Sequence, residues 1–188
     1  MISLHEPTIV GKEKKYLKDC IDSTWVSTSG KYINLFEKKI TKYTKSKYAV
    51  ALNSGTSALQ ISLKILKVMP GDEVIVPTIT FIAPVNAIVY NKAIPVFMDV
   101  DDYFNIDVKK TKHFLEKCTF SKKGFTYNKK SKNKISAIIV VHTFGNLADI
   151  SSLVKICKKK ISKLLKTQQK VWDLFTNQLQ INLNIQAP

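Results

Sequence analysis

Ala49-Val50-Ala51-Leu52-Asn53-Ser54-Gly55-Thr56-Ser57-Ala58-Leu59-Gln60-Ile61-Ser62-Leu63 is the stretch from which the fold of this chain can be deduced. A short apolar, strand-like run ends in Asn-Ser-Gly-Thr-Ser, and an amphipathic helical pattern begins at once. A hydroxyl of this turn can cap the helix, and Gly55 allows the tight turn into it. The first N–H groups of a helix lack intrahelical partners and lie at the positive end of its dipole, which favours a phosphate. An ordinary capped helix after a strand is the alternative.

The positive charge of the chain comes from lysine alone. Its 188 residues, enough for one domain with a hydrophobic core, carry a formal net charge of +16, and all 30 basic residues are Lys. Such a charge is typical of proteins that bind nucleic acid or anionic membrane, but bidentate recognition of bases and phosphates favours Arg. No basic residues are interleaved with aromatic residues in a recognition motif. We therefore predict a solvated surface, no nucleic acid and no membrane as partners, and a lysine-driven nucleic-acid binder as the weakest alternative.

The three cysteines do not form a recognisable pattern. Cys20, Cys118 and Cys157 are odd in number and widely spaced, and no His lies near them at ligand spacing. They are expected to be reduced thiols, with no metal site. The first residues contain no apolar signal region, and no apolar run is long enough to span a membrane. These features together predict a cytoplasmic protein.

Apolar, strand-like runs alternate with helical patterns along the chain. This alternation predicts an α/β fold whose mostly parallel sheet is flanked by helices. A Lys-rich segment, residues 118–134, reads as an exposed insertion. The predicted helices cover residues 11–21 and 32–44, residues 55 to about 69, residues 82–90, a segment capped by Asp107, and a segment from its cap Asp149 to Cys157. The predicted strands cover residues 74–77, 93–100 and 135–141.

We expect the functional residues to lie where the strands end, because ligands of parallel sheets bind at the carboxyl ends of the strands. Phe81, which follows the predicted strand 74–77, is by this pattern alone expected to be a core residue. Residues 99–102 read as a solvated turn, since nothing near them indicates a metal. The junctions singled out are residues 53–57, 78–86, 99–102 and 142–146.

Several motifs at these junctions occur in the order and spacing of a known family. Over residues 1 to about 160 the chain resembles the DegT type of pyridoxal-phosphate (PLP)-dependent nucleotide-sugar aminotransferases, which have fold type I. The resemblance implies an incomplete large domain of that fold. The motifs are Trp25-Val26-Ser27 with Gly30, Ala51-Leu52-Asn53-Ser54-Gly55-Thr56-Ser57-Ala58-Leu59, Pro70-Gly71-Asp72-Glu73-Val74-Ile75-Val76-Pro77, Thr80-Phe81-Ile82-Ala83-Pro84-Val85-Asn86, Pro95-Val96-Phe97-Met98-Asp99-Val100 and Val141-His142-Thr143-Phe144-Gly145.

The resemblance implies roles at the predicted cofactor site. Gly55, Thr56 and Ser57 would lie against the PLP phosphate, in agreement with the helix start derived above. Phe81 would stack on the pyridine ring. Asn86 would lie near the cofactor or pack its wall.

It also implies roles farther from the cofactor. Trp25, Ser27 and Thr28 would face the nucleotide sugar, although their hydroxyl-rich loop could equally hydrogen-bond to itself. His142 would form part of the active-site wall, or else be a structural histidine.

The reaction implied is transamination. In the family a Lys forms a Schiff base with PLP, glutamate donates the amine, and a keto group of a nucleotide-linked sugar accepts it. An Asp pairs with the pyridine nitrogen, and the enzymes are homodimers. The wording of the motifs is nearest to enzymes that act on 4-keto-6-deoxy amino sugars of the legionaminic or bacillosamine type, for surface glycans.

The final residues depart from this pattern. Residues 161–188 contain neither the Glu-Asp-Ala-Ala motif that supplies the Asp nor the segment that supplies the Schiff-base Lys. We therefore expect a truncated aminotransferase that is inactive by itself. Its strands, residues 74–76 and 135–141, would then be incompletely covered, and the chain would associate. The alternative is a small, non-enzymatic α/β protein that binds a phosphorylated ligand at residues 54–57.

The codons before this tail offer a genetic explanation. Lys158, Lys159 and Lys160 in an Arg-free chain imply a run of adenines, where a base is easily lost. We back-translated the tail and regrouped each triplet as the last base of one codon and the first two of the next. Allowed codons then turn residues 160–177 into Asn-Ile-Lys-Ile-Ile-Glu-Asp-Ala-Ala-Glu-Ser-Leu-Gly-Ser-Phe-Tyr-Lys. The prediction is a domain part at residues 1–160, followed by a frameshifted tail at 161–188.

Overall fold

The computed structural model describes residues 9–160 and 164–168. These residues belong to two compact units, Met1–Ala51 and Leu52–Pro188. Within the described residues, no helix combines the length and apolar character needed to cross a membrane. Most of the frameshift prediction falls on residues 161–163 and 169–188, outside the described ones.

The first unit contains two helices, α1 (Glu13–Asp22) and α2 (Lys31–Thr44), close to the predicted bounds. Neither helix has a buried residue. Polar and aromatic contacts join them: Tyr32 donates a hydrogen bond of 2.6 Å to Asp19, and the rings of Tyr16 and Tyr32 lie 5.0 Å apart. Hydrogen bonds from Lys31 and Tyr32 lower the pKa of the Asp19 carboxyl.

The second unit alternates strands and helices, as the sequence predicts, and the α/β class is confirmed. Asp107 and Asp149 cap their helices as expected. In chain order the elements are α3 (Gly55–Ile65), β1 (Glu73–Pro77), α4 (Ile82–Tyr90), β2 (Ile94–Met98), α5 (Val108–Lys117), β3 (Thr119–Lys122), β4 (Phe125–Asn128), β5 (Lys134–His142), α6 (Ile150–Lys160) and β6 (Leu164–Gln168).

The sheet has the order β2-β1-β5-β4-β3, and β6 pairs with β5 as well. Strands β2, β1, β5 and β6 are parallel, whereas β3 and β4 form an antiparallel hairpin. Both β4 and β6 lie on the side of β5 opposite β1. Strand β4 pairs with the start of β5, at Lys134 and Ile135, and β6 pairs with its end, from Ile138 to His142.

The sheet is covered on both faces. Helices α3 and α4 pack on one face and α5 and α6 on the other, and successive residues of β5 alternate between the two hydrophobic clusters. The prediction of incompletely covered strands is therefore wrong: Val74, Ile75 and Val76 are 0% exposed, and Val141 is 2% exposed. Helices present in this chain bury the strands that we expected later segments to cover.

Two local predictions need correction. Residues 49–52 were expected to form a strand, but they have no regular structure, and Val50 is 76% exposed. A strand needs a neighbour, and no described strand pairs with this run. The prediction of an exposed insertion at residues 118–134 holds for most of its side chains, but it needs a correction because the hairpin of β3 and β4 extends the sheet beyond β5.

Candidate functional site

The candidate site lies where the parallel strands end. Helix α3 ends at Ile65, earlier than the predicted end near Met69. A short connection through the buried residues Leu66 and Val68 leads to the start of β1. Because the connection is short, α3 runs antiparallel to β1, and its first turn lies at the edge of the sheet where β1 ends. Helix α4 begins at the same edge, directly after β1. The structure thus brings the first turn of α3 and the start of α4 to one edge.

The first turn of α3 leaves two donors open. Ser54 caps the helix: its Oγ accepts a hydrogen bond of 3.2 Å from the Ser57 N–H and lies 3.0 Å from the Ser57 hydroxyl. Among the described residues, the N–H groups of Gly55 and Thr56 have no hydrogen-bond partner. A Cβ added at Gly55 would meet nothing within 4 Å. Packing therefore does not demand glycine here, and the open donors at the dipole's positive end fit an anion such as a phosphate.

Phe81 stands at the start of α4 and is 58% exposed. The alternative of a core phenylalanine is therefore wrong. An exposed ring at a strand end can stack on a planar ligand. Asn86, in the second turn of the same helix, is half-buried, and its side chain has no hydrogen bond within the described part of the chain. Their roles toward a cofactor stay predictions.

Sequence reasoning missed two hydroxyl groups at the strand ends. Thr80 follows β1 and Thr143 follows β5, and in each the Oγ1 atom is buried without a hydrogen-bond partner in the described structure. A buried hydroxyl without a partner costs free energy, so such atoms often mark ligand sites. The available signal was their place directly after apolar runs.

His142, the last residue of β5, is 1% exposed. Its Nδ1 accepts a hydrogen bond of 2.9 Å from the N–H of Ala148. The contact closes the turn after β5, which Asn105 also holds by accepting a 3.3 Å hydrogen bond from the Thr143 N–H. These contacts give His142 a structural role, and its place in an active-site wall stays a prediction.

The helices on the other face begin with carboxylates. Asp107 accepts a hydrogen bond of 2.9 Å from the Lys110 N–H at the start of α5. Asp149 accepts bonds of 3.0 Å from the Ser152 N–H and 2.7 Å from the Ser151 hydroxyl at the start of α6. Hydrogen bonds from Ser152 and Ser151 lower the pKa of Asp149 to about 2. Carboxylates at these two starts disfavour a second anion there.

Residues 9–160 and 164–168 contain no group of His, Cys, Asp and Glu suited to a metal ion. Residues 99–102 follow β2, and their Asp99 forms an ion pair of 2.7 Å with Lys110. A solvated turn, as predicted, accounts for them.

The residues predicted to face a nucleotide sugar belong to the first unit. Trp25 is 59% exposed, and its Nε1 donates a hydrogen bond to the carbonyl of Ser29. A Cβ at Gly30 would lie 2.6 Å from the Trp25 ring, so glycine is needed for this close approach. Ser27 and Thr28 are exposed. Their role toward a sugar stays a prediction.

Comparison with known proteins identifies relatives of this fold. The model of the DegT/DnrJ/EryC1/StrS aminotransferase family matches residues 7–170. The chain is 40% identical over 158 residues to GDP-perosamine synthase of Vibrio cholerae, and 38% identical over 159 residues to that of Escherichia coli O157:H7. These matches cover 84% and 85% of this chain. A protein of Streptococcus pneumoniae assigned as a sugar aminotransferase, solved in its PLP form, superimposes with a TM-score of 0.69 at 30% identity.

The matches extend over only part of these relatives. The chain spans 39% and 40% of the length of the two synthases, and covers 36% of the Streptococcus pneumoniae chain while 84% of its own length is matched. Enzymes of this family depend on PLP. The predicted fold type I large domain, incomplete in this chain, is confirmed.

Proposed function

Since this chain belongs to the DegT/DnrJ/EryC1/StrS aminotransferase family, we propose that its second unit holds the phosphate and the ring of PLP in a sugar aminotransferase. The whole protein would be a cytoplasmic homodimer that transfers the amino group of glutamate to a 4-keto-6-deoxy nucleotide sugar for surface glycans. The observation that carries the proposal is the open first turn of α3, where Gly55 has no packing role.

Different residues of the second unit would bind different parts of PLP. The backbone N–H groups of Gly55 and Thr56, with the hydroxyls of Thr56 and Ser57, would hold the phosphate. Phe81 would cover one side of the pyridine ring and exclude water from it, and Asn86 would line the wall. When bound, PLP supplies an electron sink for the carbanion formed as the amine moves. In the first unit, Trp25, with Ser27 and Thr28, would bind the nucleotide sugar.

The chain as given would not complete the reaction. Within its 188 residues, no Lys or Asp occurs in the family context that binds PLP covalently or pairs with the pyridine nitrogen. A reading frame shifted after Lys160 accounts for both absences. With allowed codon choices, the residues after the lysine run in that frame would include Glu-Asp-Ala-Ala, and the missing lysine would be encoded farther on.

The sheet register gives independent support for the shifted frame. One adenine restored in the lysine codons puts the aspartate of Glu-Asp-Ala-Ala at position 167. In the structure this position belongs to β6 and pairs with Val141, one residue before His142 at the end of β5. The aspartate would therefore lie at the carboxyl edge of the sheet, where the open turn of α3 also lies. A regrouping of bases unrelated to the true reading frame would place an aspartate at this edge only by chance.

The experiment is to sequence the gene through the codons of residues 158–188 and beyond, and to restore the frame. The restored protein should bind PLP covalently at one lysine, absorb visible light, and transfer amine from glutamate to a nucleotide-linked 4-keto-6-deoxy sugar. A GDP-linked sugar is the first choice, because GDP-perosamine synthases are among the relatives. The chain as given should form only weak, exchangeable adducts of PLP with surface lysines.

Three results would contradict parts of the proposal. Bases that do not spell Glu-Asp-Ala-Ala in the shifted frame would exclude the frameshift. A single borohydride-trapped lysine adduct with turnover in the unmodified chain would show that the chain is active as it stands. A restored protein that binds PLP but transfers no amine to any nucleotide sugar would support the proposed cofactor site and contradict the proposed substrate class.

A further inference from the structure

The hairpin of β3 and β4 concentrates positive charge. No acidic residue occurs between Glu116 and Asp149 in the sequence, whereas the segment 118–134 carries six lysines. Among the described residues only one of the six, Lys134, forms an ion pair, at 3.2 Å from Asp72. The other five are exposed: Lys122, Lys123, Lys129, Lys130 and Lys132.

Strand pairing places these lysines among aromatic rings. The register joins Phe120 to Tyr127, Lys122 to Phe125 and Tyr127 to Lys134, so these five residues share one face of the hairpin. We call it the aromatic–lysine face. The ammonium of Lys134 lies 5.0 Å from the centre of the Phe125 ring, and that of Lys132 lies 5.6 Å from the centre of the Phe120 ring. The opposite face is apolar and hydroxyl-bearing and packs on the protein, through Thr119, Thr126 and Ile135.

The base of the hairpin is anchored in the core. Glu73, which is 3% exposed, accepts hydrogen bonds of 2.9 Å from the Asn128 side chain and 2.5 Å from the Ser131 hydroxyl. Thr119 donates a bond of 2.6 Å to the carbonyl of Leu115. These contacts fix the base of the hairpin to the core, so the backbone that carries the lysines is ordered before any partner arrives.

We propose that the aromatic–lysine face and the tip of this hairpin, residues 122–125, dock on an anionic lipid bilayer. Clusters of four to eight lysines attract anionic lipid headgroups, and an exposed ring among them enters the boundary between headgroups and acyl chains. The hairpin segment has this arrangement, with six lysines within residues 118–134 and the exposed ring at its tip. Lys123 and Gly124 form a turn with positive φ angles of 50° and 78°, and Phe125 beside them is 49% exposed.

The geometry favours a bilayer over a single-stranded nucleic acid. Nucleic-acid strands need several free ring faces for successive bases. Here Phe120 and Tyr127 stack on each other at 5.5 Å and are half-buried, so only Phe125 offers much exposed surface. Lysine also lacks the bidentate geometry that bases favour, yet suffices as a point charge for headgroups. This inference revises the sequence-based expectation of no membrane partner, since the pattern arises only when the strands pair.

The test uses the full chain and vesicles of phosphatidylcholine, with or without phosphatidylglycerol. The chain should co-sediment with the anionic vesicles only, and added salt should release it. Replacing Lys122, Lys123 and Lys132 together by Gln should weaken binding about 100-fold, because each lysine near the surface contributes a factor of about five. Replacing Lys12, Lys14 and Lys15 by Gln removes the same charge from the first unit, and should weaken binding no more than about two-fold.

A second variant separates insertion of the ring from charge. Phe125→Ser keeps every lysine and should weaken binding to anionic vesicles about ten-fold, while circular dichroism shows an unchanged fold. Equal losses in the two lysine variants, binding to phosphatidylcholine alone, or displacement by millimolar inorganic phosphate would overturn the proposal. Tighter binding of a single-stranded oligonucleotide, in competition with vesicles, would overturn it in favour of nucleic acid.

Discussion

Four helices begin at the carboxyl edge of the sheet, but the residues that precede them differ between the two faces. On the face of α5 and α6, Asp107 and Asp149 cap the first turns with carboxylates. On the face of α3 and α4, the residues before the helices are Ser54 and Phe81, which carry no charge. A carboxylate at a helix start occupies the positive end of the dipole and repels another anion. One face is therefore closed to anions by its own side chains, and the other is open.

Stability alone does not account for this difference. Ser and Asp are about equally good N-caps, so either residue would serve at either position. Helix α3 also begins with Gly55, although a Cβ at that position would have no atom within 4 Å. Packing therefore does not explain the glycine. What distinguishes the start of α3 is its uncharged cap together with the free space at Gly55. We interpret this face as the one kept for a phosphate.

The largest expected effect comes from closing the open face. Ser54→Asp keeps a good cap, so the free energy of unfolding should change by less than about 0.5 kcal/mol. The new carboxylate would stand beside the phosphate, and because Ser54 is exposed, solvent weakens the repulsion to about 2.7 kcal/mol, or about 100-fold in affinity. Isothermal titration with pyridoxamine phosphate, which lacks the reactive aldehyde, measures this loss.

The matched control adds the same charge on the other face. Ser151→Asp places a carboxylate in the first turn of α6, on the face of the sheet opposite α3. Because the charge is farther from the proposed phosphate site and is screened by salt, it should weaken pyridoxamine phosphate binding by no more than about two-fold. Equal losses in both variants would mean that net charge, rather than the start of α3, governs binding.

Local features of the fold could be predicted from the sequence. The caps at Asp107 and Asp149 and the helix after Ser54 were correct because capping depends on a few neighbouring residues. Buried strands such as β5 could be predicted because a continuous apolar run is sufficient evidence for them.

Features that depend on pairing between distant segments were missed. Residues 49–52 have strand-like composition but no described partner strand, and the hairpin of β3 and β4 joins residues that look like a polar insertion. The burial of the Thr80 and Thr143 hydroxyls likewise depends on how the strand ends pack. The edge that carries the site was predictable, whereas which of its polar atoms are buried was not.

A smaller effect is expected when the space at the open face is filled. Gly55→Ala adds a methyl group where the structure has free space, and it reduces the conformational freedom of the unfolded chain. The free energy of unfolding should rise by about 0.4–1 kcal/mol. The methyl group should keep a phosphate from approaching the backbone and weaken pyridoxamine phosphate binding about ten-fold. Urea unfolding and titration calorimetry check the two parts.

Ser151→Ala is the matched variant at the start of α6 and should leave binding unchanged. If Gly55→Ala increased stability without weakening binding, the open space at α3 would not be the phosphate site.

The smallest effect concerns the closed face and depends on pH. Asp149 has a pKa of about 2 in the folded chain, below the value of about 3.9 expected when unfolded, because Ser152 and Ser151 donate hydrogen bonds to its charged form. A lowered pKa means that the carboxylate stabilises the fold above about pH 4, and that this contribution is lost as the pH falls toward 2. Asp149→Ala should therefore cost about 1 kcal/mol at pH 7, the usual value of an N-cap, and less at pH 2, where about half of the carboxyl groups are protonated. Urea unfolding of wild type and Asp149→Ala between pH 7 and pH 2 measures the difference.

Asp149→Asn, which keeps a neutral cap, should lose much less free energy of unfolding than the alanine variant at pH 7. A difference between wild type and Asp149→Ala that stays constant down to pH 2 would show that packing, rather than the charged cap, determines the start of α6.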